Sequence, residues 1–162
     1  MSGGSTGPVH APSVTDADSW RGAPASSTVT ISVSWVTAVG NFRVAVDMLK
    51  QAVSAAKRLG NSELAAITTM NYAEALAGVR DHAQAFPLAS AALEHFTAAG
   101  NSWRRVECLR LLGDIRRDRG EPADADEDYL SALTVATSIG ALAEIDLLTR
   151  RRAALGASGG GS

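Results

Sequence analysis

Six arginines, Arg104, Arg105, Arg110, Arg116, Arg117 and Arg119, crowd one short stretch, and Arg150, Arg151 and Arg152 stand in a row further on. Lysine is nearly absent, with only Lys50 and Lys57. This choice of cation matters chemically. A guanidinium presents a planar fork of N–H donors that matches a carboxylate or a phosphate, whereas an ammonium is a point charge. Two uses of these arginines are open. Glu107 and Asp114 lie three and four residues from Arg110, and Asp114 lies three from Arg117, so pairing within one helix is one. Binding of an acidic ligand is the other.

The remaining reactive residues form no constellation. Of the three histidines, His10 lies in a polar tail, His82 opens an apolar-periodic segment, and His95 follows Glu94 with no second ligand at helical spacing. Cys108 is the only cysteine and sits beside Leu109 in an apolar-periodic run, so it reads as a buried thiol rather than a nucleophile. The acidic run Asp124, Asp126, Glu127, Asp128 reads as a solvated helix face. Gly3, Gly4 and Gly7 have no strand before them and no lysine after, so they make no phosphate loop. The expectation is a protein without catalytic residues, metal or cofactor.

Composition narrows the partners. The 162-residue chain carries a formal net charge of −2, with 46% hydrophobic and 20% charged residues. A near-neutral surface gives no general pull towards nucleic acid or anionic membrane. No apolar run approaches the roughly 20 residues that span a bilayer. The stretch "MSGGSTGPVHAPSV" lacks the charged and apolar regions of a signal peptide, so the cytoplasm is the expected compartment. Abundant Ala, Arg, Val and Gly point to a bacterial source of high GC content. Residues 1–27 are rich in Ser, Gly, Pro and Thr and read as a disordered tail, and 156–162, "GASGGGS", as a flexible linker or tag. The organised domain is expected over 28–155.

That domain repeats. Gly60, Gly100 and Gly140 are evenly spaced, and the same interval separates Ala45, Ala85 and Ala125, and Ala52, Ala92 and Ala132. Asn41, Asp81 and Glu121 share one register and suit N-caps. Each unit reads as two helices. Ser62 to Gly78 carries Leu64, Ile67, Tyr72, Ala75, Leu76 and Val79 at helical spacing, and His82 to Ala99 carries Ala85, Ala89, Ala92, Leu93 and Phe96. Trp103–Arg119 and Ala123–Ile139 repeat the pair, with Pro122 at a first helical position. Phe42–Leu59 is a second-type helix one period earlier, and Ala141–Leu155 a last first-type helix without a partner. The aligned alanines are the expected points of close helix contact.

The segments "YAEALAGVRDHAQAFPLASAAL" and "LLGDIRRDRGEPADADEDYLSAL" resemble the tetratricopeptide repeat family, in its longer-period form. Leu112-Gly113 look like the Leu-Gly of the first helix, Gly120 like the inter-helix glycine, and Ala125, Tyr129 and Ala132 like the small–aromatic–small triplet of the second. The resemblance covers about 41–155. It departs in its period of 40 rather than 34 and in Gly where Pro usually ends the unit. It implies an all-α fold: an antiparallel helix-pair superhelix, an α-solenoid of about three repeats plus a terminal helix. It further implies a concave groove lined by first-type helices. By register the groove positions are Ile67, Met70, Asn71 and Glu74, then Glu107, Arg110, Leu111, Asp114 and Arg117, then Leu147, Arg150 and Arg151. One end of such a groove is mildly apolar and the other basic.

One stretch disagrees locally with the repeat. In "TVTISVSWV", Thr28 to Val36, apolar and polar residues alternate as in a strand. One period before Ser62–Val79 is 22–39, so the run stands where a first-type helix belongs. A helix over Ser32–Val39 and a strand pairing with another chain are both open.

The function expected from the resemblance is a non-catalytic protein–protein interaction domain within a larger bacterial regulatory or biosynthetic assembly. Its partner would be a peptide or helix in the groove, with an acidic or carboxylate feature at the arginine end. The alternative is a scaffold or homo-oligomerisation domain that uses an exposed last helix, with Leu142, Ile145, Leu147, Leu148 and Leu155 apolar, or the strand-like segment.

Overall fold

The computed structural model describes residues 42–158. Six α-helices follow one another: α1 Phe42–Arg58, α2 Ser62–Gly78, α3 His82–Ala98, α4 Ser102–Asp118, α5 Pro122–Ser138 and α6 Leu142–Ser158. Among the described residues there is no strand. The expected tail, the strand-like Thr28–Val36 with the helix over Ser32–Val39, and the Asn41 cap lie outside the described residues.

Every helix is 17 residues long, and three residues join each to the next. The true unit is therefore a single helix with its turn, used twice per sequence period. Four of the five turns close in the same way. The backbone N–H of Asp81, Asn101, Glu121 and Ala141 each donates to the carbonyl five residues back, at 2.9 Å. This is the Schellman closure, and it needs a left-handed residue just before the donor. Gly100, Gly120 and Gly140 supply it with φ from +68° to +78°, but at the equivalent position between α2 and α3 the residue is Arg80, with φ of 65°; Gly60, in the first turn, is also left-handed, with φ of 66°.

The N-caps are less uniform than the shared polar register suggests. Asn61, Asp81 and Asn101 each accept a backbone N–H from three residues on, at 2.9–3.2 Å. Glu121 makes no such bond. Its longer side chain turns instead to Arg119, 3.1 Å away, and Pro122 opens the helix without needing a donor partner at its nitrogen.

Packing is sequential: each helix lies against the next, as in a helical repeat array. Beyond that, α2 touches α4 and α4 touches α6, whereas α1, α3 and α5 do not touch one another. The first-type helices thus share one side of the array, its inner face, and the second-type helices lie on the other. Close approach depends on the aligned alanines: Ala45, Ala85, Ala92, Ala125 and Ala132 are all buried. Ala52 is only half-buried. Large anchors fill the space between pairs. Phe96 packs with Ala66, Met70, Ala92 and Cys108, and Tyr129 with Val106, Ala132 and Leu148. Burying each such side chain is worth roughly 1.5–3 kcal/mol.

Helix α6 runs three residues beyond the expected boundary at Leu155. It is also less exposed than an unpartnered helix should be. Leu148 is fully buried, and Ile145 and Leu155 pack against the cluster around Tyr129. Only Leu142, 78% exposed at the first turn, remains a large exposed apolar residue on this helix. Of the five apolar residues expected to be open on this helix, Leu148 is thus buried, Ile145, Leu147 and Leu155 are half-buried, and Leu142 is exposed.

Candidate functional site

The inner face of α2, α4 and α6 gathers most of the groove residues expected from the repeat register. Asn71, Glu74, Glu107, Arg110, Asp114, Leu147 and Arg151 are half-buried there, and Arg117 and Arg150 are exposed. Two expected groove residues are instead core. Met70 is 5% exposed and packs with Ala66, Ala92, Phe96 and Cys108, and Leu111 packs with Ala73, Leu76 and Ala89. Ile67 lies at the edge of the Met70 cluster. The apolar end of the groove is therefore largely consumed by the core. The reason is geometric: these positions point between adjacent helices rather than across the face.

The basic end is internally neutralised, and Asp114 is its centre. Its Oδ1 accepts from the Tyr129 hydroxyl at 2.6 Å, from Arg117 Nη1 at 3.3 Å, and from Arg151 Nη1. One carboxylate thus ties α4 to both α5 and α6. Burial first, and then the bond to Asp114, push the Tyr129 phenol well above its usual range, so it remains a donor. Arg117 also donates to Asp118, at 2.7 and 2.9 Å.

Arg110 does not pair with Glu107 or Asp114 along its own helix. Its Nε faces Glu144 Oε2 on α6, 3.4 Å away, an ion pair whose geometry makes no hydrogen bond. Glu107 takes Arg104 at 2.9 Å. Arg150 pairs with Asp146 one turn back, at the surface. Surface pairs of this kind contribute little, about 0–1 kcal/mol. The half-buried ones around Asp114 are harder to remove, because breaking one leaves a desolvated charge.

These pairings had no distinguishing mark in the sequence. Glu144 lies two helices on from Arg110, and Tyr129 one helix on from Asp114. The acidic run on α5 is not simply solvated. Asp126 holds Arg152 of α6 at 2.7 and 2.9 Å, and Asp128 faces Arg116 of α4 at 3.1 Å. Arg116 and Arg119 also lie over the Phe86 ring, 5.3 and 5.5 Å from its centre, within cation–π range.

Among the described residues, no group of three or more His, Cys, Asp and Glu side chains could hold a metal ion, and no helix is long and apolar enough to cross a membrane. Cys108 is fully buried, and that burial, with Glu107 nearby, pushes its thiol up to about 12. A surface depression lined by Arg43, Val46, Asp47, Val79 and Asp81 lies at the other end, beside α1, and shares no residue with the inner face. No family model matches the chain, and no curated protein is significantly similar to it.

Proposed function

We propose that the chain is a non-catalytic protein–protein interaction domain of the tetratricopeptide kind, taking a peptide or helix of a partner along the face of α2, α4 and α6. The observation that carries the reading is the alternating contact pattern. It gives three helices one common inner surface, and that surface holds charged side chains in fixed positions rather than an apolar seam. A fold of this kind supplies a rigid, preorganised face and no reactive group.

The partner carries an acidic side chain or a terminal carboxylate, which meets Arg117 and Arg150. Arg150 is 72% and Arg117 39% exposed at the side chain, and each is held only from its own helix, Arg117 by Asp114 and Asp118 and Arg150 by the carboxylate and backbone carbonyl of Asp146. A ligand carboxylate can displace the surface partners Asp118 and Asp146 at little cost, whereas Arg110 and Arg151 are committed between helices.

The test is an array of peptides displayed with free C-termini and, in parallel, as amides. Peptides that bind the wild-type chain should do so through a carboxylate and bind at least tenfold more weakly to a variant carrying Arg117→Glu with Arg150→Glu. The helical signal and thermal midpoint of the variant are measured alongside, and a loss of binding counts only while the variant is folded. Absence of any bound peptide, or equal binding by the variant, overturns the reading.

A further inference from the structure

The inner face contains a carboxylate that its own repeat leaves unpaired. Glu74, Glu107, Asp114 and Glu144 lie there with Arg104, Arg110, Arg117, Arg150 and Arg151. Arg150 takes Asp146, and three of the four carboxylates use the other four arginines. Glu107 takes Arg104, Glu144 takes Arg110, and Asp114 takes both Arg117 and Arg151. Glu74 has no hydrogen bond and no ion pair within 4.0 Å among the described residues.

The repeat explains why. Glu74 stands one full period before Asp114 and occupies the same place in its unit. The donors around Asp114 are Arg117, Tyr129 and Arg151. One period earlier, those positions are Ala77, Ala89 and Leu111, and none of them can donate from its side chain. The unit around Glu74 keeps the acceptor and has lost every donor.

We propose that Glu74 is a recognition point for a cationic side chain of the bound peptide, best a guanidinium, which supplies the donors that Arg117 and Arg151 supply to Asp114. The inference rests on the peptide-binding reading of this face. It adds a second feature to the ligand: a basic residue towards α2 and a carboxylate towards α6. The surroundings of Glu74 agree. Burial raises its carboxyl above the ordinary range, Arg110 opposes this, and Glu107 and Asp114 add to it, so an arriving cation relieves a carboxylate that its neighbours do not satisfy.

The experiment titrates the full chain, labelled with 13C and 15N, with N-acetyl-arginine amide. The control is N-acetyl-citrulline amide, of nearly the same shape without the charge. The arginine probe should give saturable shifts at the Glu74 side-chain carboxyl carbon and at backbone amides near Glu74 and Arg110, with citrulline at least tenfold weaker. Glu74→Gln, which keeps shape and thermal midpoint, should abolish the difference between the two probes. The inference is overturned if the probes behave alike on the wild-type chain, or if Glu74→Gln still prefers arginine. The two readings fail separately. Arginine-specific shifts with no peptide bound from the array would support the Glu74 site and sink the groove. Peptides bound through Arg117 and Arg150 without arginine-specific shifts would overturn the Glu74 site alone.

Discussion

Gly113 and Tyr129 share one contact in which only one of them can have bulk. A methyl group on Gly113 would lie 2.5 Å from the Tyr129 ring, well inside contact distance, and Tyr129 is fully buried. One period earlier, the same two places hold Ala73 and Ala89, both fully buried in one cluster. The second repeat has moved volume from α4 to α5, and the ring it gained reaches Asp114 with its hydroxyl. In an open helix, Gly→Ala gains about 1 kcal/mol. Here the overlap dominates, and Gly113→Ala should destabilise by about 1–3 kcal/mol. Tyr129→Ala alone should cost about 3–5 kcal/mol. Urea denaturation of both single variants and the double should show the double less destabilised than the sum, since Ala with Ala is the pair the first repeat uses.

Arg80 is the one described non-glycine residue with positive φ, at the place that Gly120 holds one period later. A left-handed conformation crowds the side chain of an L-residue by about 1–2 kcal/mol, while glycine's extra freedom in the unfolded chain offsets part of the gain. Arg80→Gly should therefore stabilise by roughly 0.5–1 kcal/mol. Thermal unfolding should show a midpoint a few degrees higher. An unchanged or lower midpoint would mean that the turn does not strain Arg80.

Asp128 gives the fold a pH dependence. Its side chain is 13% exposed, and burial pushes its carboxyl up to about 6, against the pull of Arg116 and with Asp124 and Glu127 adding to the rise. The folded state therefore holds the proton more tightly than the unfolded chain. The resulting stability is fully present below about pH 4 and is lost as pH rises through about 6. Relative to Asp128→Asn, the wild-type chain should lose roughly 1–3 kcal/mol between these limits. Chemical denaturation of both proteins across that range would read the difference, and a flat difference would refute the account.

Cys108 should be silent in the native state. It is fully buried and its thiol is held up to about 12, so thiolate is scarce at neutral pH. A disulfide reagent such as Ellman's should label it at the rate of unfolding and not at the rate of a free thiol. Labelling that does not slow when the fold is stabilised would place the thiol within reach of solvent.

Much of the architecture was legible in the chain. The glycines at 60, 100 and 140, the alanine register and Pro122 marked the helices and turns, because turn geometry and close packing constrain residue type locally. The half-period of one helix and one turn was hidden, since Arg80 breaks the glycine series and Glu121 has a polar side chain that does not cap. The site was less legible for a different reason. The sequence placed Glu74, Arg110, Asp114 and Arg151 on one face, but electrostatic partners are chosen in space. Only the packing of α4 against α5 and α6 sent Arg110 to Glu144, brought Tyr129 and Arg151 to Asp114, and turned Met70 into core. The sequence by itself determined which helices form and in what order. The tertiary structure decided which charges neutralise one another and which carboxylate, Glu74, is left for a partner, because pairing depends on distances between helices that no local spacing encodes.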